Sequence, residues 1–146
     1  MTRPAAQNRG PAAQTLLGFD YGLKRIGVAV GQVLTGSATA LTIVAARDGK
    51  PDWAAIKHLI DAWKPDALVV GIPYHMDGSE QDMTRRAQRF CRQLEGRFGL
   101  PVYPAEERLT SYVVETGLSA NAENRPIDPL SAQVILQDWL QQGAQQ

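Results

Sequence analysis

The chain has 146 residues, 44% of them hydrophobic, and 15 Lys plus Arg balance 15 Asp plus Glu to a formal charge of zero. That length suits one domain with a core of its own, and the charge balance argues against a purely basic nucleic-acid coat while leaving room for an acidic metal site offset by basic faces. The single cysteine, Cys91, excludes an intrachain disulfide and fits a reducing cytoplasm, and no apolar run is long enough to span a membrane.

Residues 1–14 carry Arg3 and Arg9 among Ala, Gln, Pro and Gly, lack the apolar stretch of a secretory signal and read as a disordered tail. A single domain is expected over 15–141, followed by a flexible tail over 142–146. Thr15–Phe19 is a short apolar run ending at Asp20, and Tyr21-Gly22-Leu23-Lys24 reads as a tight turn. Ile26–Val30 and Thr39–Val44 read as second and third strands of an antiparallel meander. Asp52 can cap a helix from Trp53 to Trp63, in which Trp53, Ile56, Leu59, Ile60 and Trp63 recur at helical spacing before Pro65. Ala67–Val70, ending in Gly71, has the continuous apolar character of a buried parallel strand, and Ile72–Gly78 reads as a loop.

Ser79 and Asp82 have capping-box spacing and open a long helix to Phe98, with a stripe of Met83, Ala87, Phe90, Leu94 and Phe98. Gly99 and Pro101 end it. Pro101–Pro104 reads as a short fifth strand, with Glu106-Glu107-Arg108 just past its end. A helix is expected from Thr110 or Ser111, then a polar loop at Ser119–Arg125. Asp128 as N-cap and Pro129 at the first helical position start a last helix to Leu140. The order β-β-β-α-β-α-β-α-α predicts an α/β, RNase H-like fold: a mixed five-stranded sheet, three antiparallel strands then βα alternation, flanked by helices.

Acidic residues stand at element ends, where a rigid scaffold presents side chains to a cleft: Asp20, Glu106 with Glu107, and Asp128. Converging carboxylates repel one another and call for a hard cation, Mg²⁺ or Mn²⁺, and there is no Cys/His cluster for zinc. Such ions activate water and stabilise the leaving oxygen in phosphodiester hydrolysis. The plainer readings are that Asp20 starts a turn, Asp128 only caps its helix, and one glutamate pairs with Arg108 on the surface. Arg85, Arg89 and Arg92 lie on one helix face, with Arg86 nearby, either as phosphate contacts or as a solvated face. Lys24 and Arg25, beside Asp20, could hold a phosphate or serve solubility. His75 is a loop histidine open to a proton-shuttle or an incidental reading, and Tyr74 and Met76 to base stacking or packing. Trp53, Trp63 and Trp139 are expected in or beside the core, and Cys91 as an inert thiol at its edge.

Leu-Gly-Phe-Asp-Tyr-Gly-Leu-Lys-Arg-Ile-Gly-Val-Ala-Val-Gly-Gln at 17–32 resembles the opening signature of the YqgF (RuvX) family of pre-16S rRNA nucleases and Holliday junction resolvase-like proteins. Val-Val-Gly-Ile-Pro-Tyr-His-Met-Asp-Gly-Ser-Glu-Gln at 69–81, Glu-Glu-Arg-Leu-Thr-Ser at 106–111 and Ile-Asp-Pro-Leu-Ser-Ala-Gln-Val-Ile-Leu-Gln at 127–137 resemble its later motifs, in family order and spacing. The resemblance implies an RNase H-like nuclease that matures the 5′ end of 16S rRNA precursor, a structured RNA, in the setting of the assembling small ribosomal subunit. Branched DNA is the alternative substrate.

By motif position Asp20, Glu107 and Asp128 would be the catalytic, metal-binding acids, and Lys24, Arg25, Arg85, Arg89, Arg92 and Arg108 the nucleic-acid contacts. Leu23 stands where the family usually has Thr, and Glu106 where it usually has Asp; the longer Glu106 arm leaves open which glutamate faces the metal. Asp-Tyr-Gly before a hairpin also resembles a phosphate loop of actin-like ATPases, but those need a second such domain. A non-catalytic RNA- or ribosome-binding factor on the same fold is the remaining rival.

Overall fold

The computed structural model describes residues 14–108 and 129–143. The expected N-terminal tail before Gln14, the helix near Thr110, the loop Ser119–Arg125 and Asp128 lie outside them. In chain order the elements are β1 (Thr15–Asp20), β2 (Arg25–Gln32), β3 (Ser37–Arg47), β4 (Lys50–Pro51), α1 (Trp53–Trp63), β5 (Ala67–Tyr74), α2 (Asp82–Phe98), β6 (Val102–Arg108) and α3 (Pro129–Gly143). Among the described residues the sheet is mixed and six-stranded, in the order β4-β3-β2-β1-β5-β6. β1, β2 and β3 form the expected antiparallel meander, and β5 and β6 join it in parallel. The sixth strand is β4, which the sequence reading lacked: its residues pair Arg47↔Lys50 and Ala46↔Pro51 across the Asp48-Gly49 turn.

Strands β5 and β6 both run further than expected. Glu106, Glu107 and Arg108 are not past a strand end but within β6, paired with Ile72, Pro73 and Tyr74. Pro73 marks a loop by composition, yet it costs the ladder nothing. Leu68 N–H donates to the Pro101 carbonyl, so alternate amides of β5 serve β6. Pro73 therefore falls on the side facing β1, whose pairing with β5 ends at Phe19↔Val70.

The helix starts follow the same accounting of backbone donors. Asp52 caps α1 as expected, its carboxylate accepting from Ala55 N–H at 3.2 Å. The start of α2 differs: Ser79 is engaged with Asp77, through its N–H at 2.9 Å and its hydroxyl at 2.6 Å. Gln81 takes the N-cap position, its N–H donating to Thr84 Oγ1 at 3.0 Å, and the Thr84 hydroxyl donates to the Pro73 carbonyl. Gly99 ends α2 in the left-handed conformation, φ 65°.

Strand alternation divides the core into two layers. Leu17, Phe19, Tyr21, Val28 and Val70 pack with Ile56 of α1 and Phe90 and Leu94 of α2. Leu16, Ala29 and Val69 pack with Ala132, Leu136 and Leu140 of α3 on the opposite face. Trp53 stacks on Phe90 with ring centroids 5.8 Å apart, and Trp139 on Tyr103 at 5.5 Å. Trp63, expected in or beside the core, is 42% exposed on the last turn of α1. No helix among the described residues is long and apolar enough to cross a membrane.

Candidate active site

On β1, Leu16 and Gly18 face α3, so the alternation that buries Phe19 and Tyr21 under α2 turns Asp20 toward the α3 side. Asp20 is fully buried. On β6, Tyr103 stacks on Trp139 of α3 and Ala105 packs beside it, so Glu107 continues that face. Glu106 belongs with Val102 and Pro104 on the other face and is exposed. The pleat therefore assigns the two adjacent glutamates to opposite sides of the sheet.

Between β1 and β6 lies β5, and Gly71 is what makes room there. A Cβ on Gly71 would stand 2.8 Å from Glu107 Oε1 and 2.7 Å from Ile135 Cδ1. The Glu107 side chain thus folds back over β5, at the strand end where β1 delivers Asp20. Helix α3 runs antiparallel to β1: a Cβ on Gly31, the partner of Leu16, would meet Leu140 Cδ1 at 2.8 Å, and one on Gly18 would meet Leu136 Cβ at 2.8 Å. Its N-terminal turn, with the positive end of the helix dipole, is accordingly directed toward the Asp20 end of the sheet. Asp128 precedes that turn in sequence and lies outside the described residues. Among the described residues no group of three or more His, Cys, Asp or Glu is placed to hold a metal. Asp20 and Glu107 supply hard carboxylate oxygens, the donor type that suits Mg²⁺ or Mn²⁺.

The expected cations divide by position. Lys24, in the turn that follows Asp20, and Arg25, which opens β2, are exposed, and that turn is tied to the β3–β4 hairpin by Ala46 N–H to Lys24 O at 2.9 Å and Gly49 N–H to Leu23 O at 2.8 Å. Arg85, Arg89 and Arg92 are exposed on α2, across the sheet from the side to which Asp20 and Glu107 turn. Arg85 lies 3.9 Å from both Glu80 and Asp82. Arg92 lines a shallow cleft with Tyr74, Cys91 and Glu95. Arg108 ends β6. His75 and Met76 are exposed in the β5–α2 connection and Tyr74 is half-buried at the end of β5. Ser79 hydrogen bonds hold the Asp77 carboxyl below the usual carboxylate range. Burial pushes the Cys91 thiol up to about 11, as suits an inert cysteine.

Residue-type reasoning missed a second polar feature. Arg86 and Arg89 of α2, Lys50 of β4 and Tyr21 line a cleft against the β3–β4 hairpin. The Tyr21 hydroxyl donates to the Gly49 carbonyl. Burial raises its pKa, and the Arg86 and Arg89 guanidiniums work against that rise. The Asp48-Gly49 dipeptide, a hairpin signal, was the clue in the sequence that Lys50 returns beside Arg47.

Residues 14–142 match the model of the RuvX family, described as Holliday junction resolvase. The "Putative pre-16S rRNA nuclease" of Azotobacter vinelandii is 48% identical over 130 residues, covering 86% of this chain and 92% of its own. Its namesake in Pseudomonas fluorescens is 48% identical over 139 residues, covering 91% and 96%. Among solved structures, Thermus thermophilus RuvC in complex with a Holliday junction substrate superposes with a TM-score of 0.55 over 90% of this chain and 97% of that one. At 16% identity, that likeness is one of fold.

Proposed function

The chain belongs to the RuvX family, and from that premise we propose that it is a metal-dependent nuclease that hydrolyses phosphodiester bonds in the 16S rRNA precursor, at its 5′ end, in the cytoplasm and on the assembling small subunit. The observation that carries the reading is the convergence of Asp20 and Glu107 on one face at one end of the sheet, in a chain nearly half identical to relatives that bear the nuclease name. Asp20, Glu107 and Asp128 would hold Mg²⁺ or Mn²⁺, and the ion, when bound, would supply water activation and charge neutralisation at the scissile phosphate.

The chain's own contribution is orientation. Asp20 is fixed by the pairing of β1 with β2 and β5, and Glu107 by the register of β6 and the space over Gly71. Burial lowers the local dielectric and makes each carboxylate's interaction with a cation stronger than it would be in water. Lys24, in the turn after Asp20, and Arg25, which opens β2, would position backbone phosphates on either side of the cleaved bond.

The test is cleavage of a pre-16S 5′ segment with Mg²⁺ or Mn²⁺ by wild type and Asp20→Asn, with folding checked by circular dichroism. Cleavage by wild type and loss in the folded variant support the reading. Equal cleavage by both refutes the role of Asp20. The family description favours a second substrate, the four-way DNA junction; a junction cut faster than the RNA by the same preparation would replace the RNA assignment and keep the chemistry.

A further inference from the structure

The cleft between the β3–β4 hairpin and α2 has a volume of about 130 Å³ and is walled by Tyr21, Lys50, Trp53, Arg86, Arg89 and Gln93, with Asp48 as its acidic member. Its chemistry is that of an anion receptor. Arg86 is held by Asp82, Nε to Oδ2 at 2.8 Å, which fixes the guanidinium while its Nη1 lies 3.7 Å from where a Gly49 Cβ would be. Arg89 and Lys50 have no acidic partner among the described residues, so their charge is available to a ligand. The Tyr21 hydroxyl spends its proton on the Gly49 carbonyl, so Lys50, Arg86 and Arg89 are the cationic donors facing the cleft. Trp53 is pre-positioned as a rigid wall by Phe90 beneath it and by Arg97, 4.2 Å from its ring centroid.

The location gives the anion a role. Tyr21 is the residue after Asp20, and the two side chains leave β1 on opposite faces of the sheet. The turn that follows Asp20 joins the two: Gly49 N–H donates to Leu23 O and Ala46 N–H to Lys24 O, so the hairpin that walls the cleft is tied to the chain carrying Lys24 and Arg25. We propose that Lys50, Arg86 and Arg89 form a phosphate-binding subsite that takes a backbone phosphate of the bound nucleic acid flanking the one at the acid pair. The proposal rests on the nuclease reading for the identity of the strand; the receptor chemistry does not.

The experiment uses the full chain in EDTA, where binding is read without cleavage. Fluorescence anisotropy with an end-labelled pre-16S segment gives Kd across a salt series for wild type, for Arg89→Gln/Lys50→Gln, and for Lys57→Gln/Lys64→Asn, which removes the same charge from α1 and the residue that caps its C-terminus. The cleft variant is expected to bind at least about tenfold more weakly and to lose about 0.7–0.9 from its log–log salt slope, as one lost phosphate requires; the α1 variant is expected to stay near wild type. Equal losses in both variants would overturn the proposal in favour of diffuse charge. Inorganic phosphate and pyrophosphate, followed by thermal shift, separate the sources of the anion. Stabilisation of wild type alone by free phosphate, with RNA affinity unchanged in the cleft variant, would overturn the substrate-strand assignment. Cleft-dependent RNA binding in a protein that cuts no RNA or junction with metal present would uphold the subsite and sink the nuclease reading.

Discussion

Substituting Gly71 by alanine tests whether the space over β5 belongs to the acid pair. The added Cβ would stand 2.8 Å from Glu107 Oε1 and 2.7 Å from Ile135 Cδ1, well inside contact distance. Both are side-chain termini, so the fold can yield by moving them, at an expected cost of about 1 kcal/mol, the low end for overpacking. Activity has less room. A carboxylate displaced by about 1 Å from its working position costs on the order of 100-fold in rate. Gly18→Ala supplies the contrast on the same face, because there the new Cβ meets Leu136 Cβ at 2.8 Å, close to the helix backbone. α3 itself must move, and the cost rises to about 2–3 kcal/mol. Urea denaturation and initial cleavage rates with saturating Mn²⁺ give both quantities. Gly71→Ala is expected to lose far more activity per kcal/mol of stability than Gly18→Ala. Gly71→Ala at full rate would refute the claim that this glycine makes room for a working Glu107.

Asp52→Ala removes the side-chain cap of α1 and is expected to cost about 1 kcal/mol in urea denaturation, leaving cleavage unchanged. With its thiol pushed up to about 11 by burial, Cys91 is expected to resist alkylation in the native protein at pH 8 and to react at once in denaturant; rapid native alkylation would contradict its placement. Tyr21 has a folded pKa above its unfolded value of 10.0, so the neutral form is favoured by folding. Its contribution is full below pH 10 and is lost as pH rises through the folded value. Tyr21→Phe should flatten that alkaline fall in stability while costing about 1 kcal/mol at neutral pH through the lost bond to Gly49.

The meander, the capped α1 and the core stripe of α2 were legible because each rests on a local signal: alternation, an Asp before an apolar period, or a stripe at helical spacing. What failed were boundaries decided by a neighbour. Pro73 and Glu106 read as loop from their own chemistry, and the parallel pairing of β5 with β6 overrides it. Ser79 carries the right residue type for a cap but is taken by Asp77. The acidic positions were legible as element-end carboxylates. Which glutamate turns toward the Asp20 face was not, because that depends on whether the pair lies in a strand or beyond it. Within β6 the question reduces to parity, and Glu107 shares its face with Ala105 and Tyr103.

The register that carries Glu107 also shapes the outer margin of the sheet. Leu68 N–H reaches the Pro101 carbonyl, so in β6 the odd-numbered amides turn inward to β5 and the even-numbered ones turn outward. Pro104 holds an outward position and has no amide hydrogen to offer. Among the described residues β6 is the edge strand, and the row of donors along this margin is broken at its middle, so it is a poor template for an incoming strand. A threonine at that position would complete the row and turn a terminus of the sheet into an invitation to edge-to-edge aggregation.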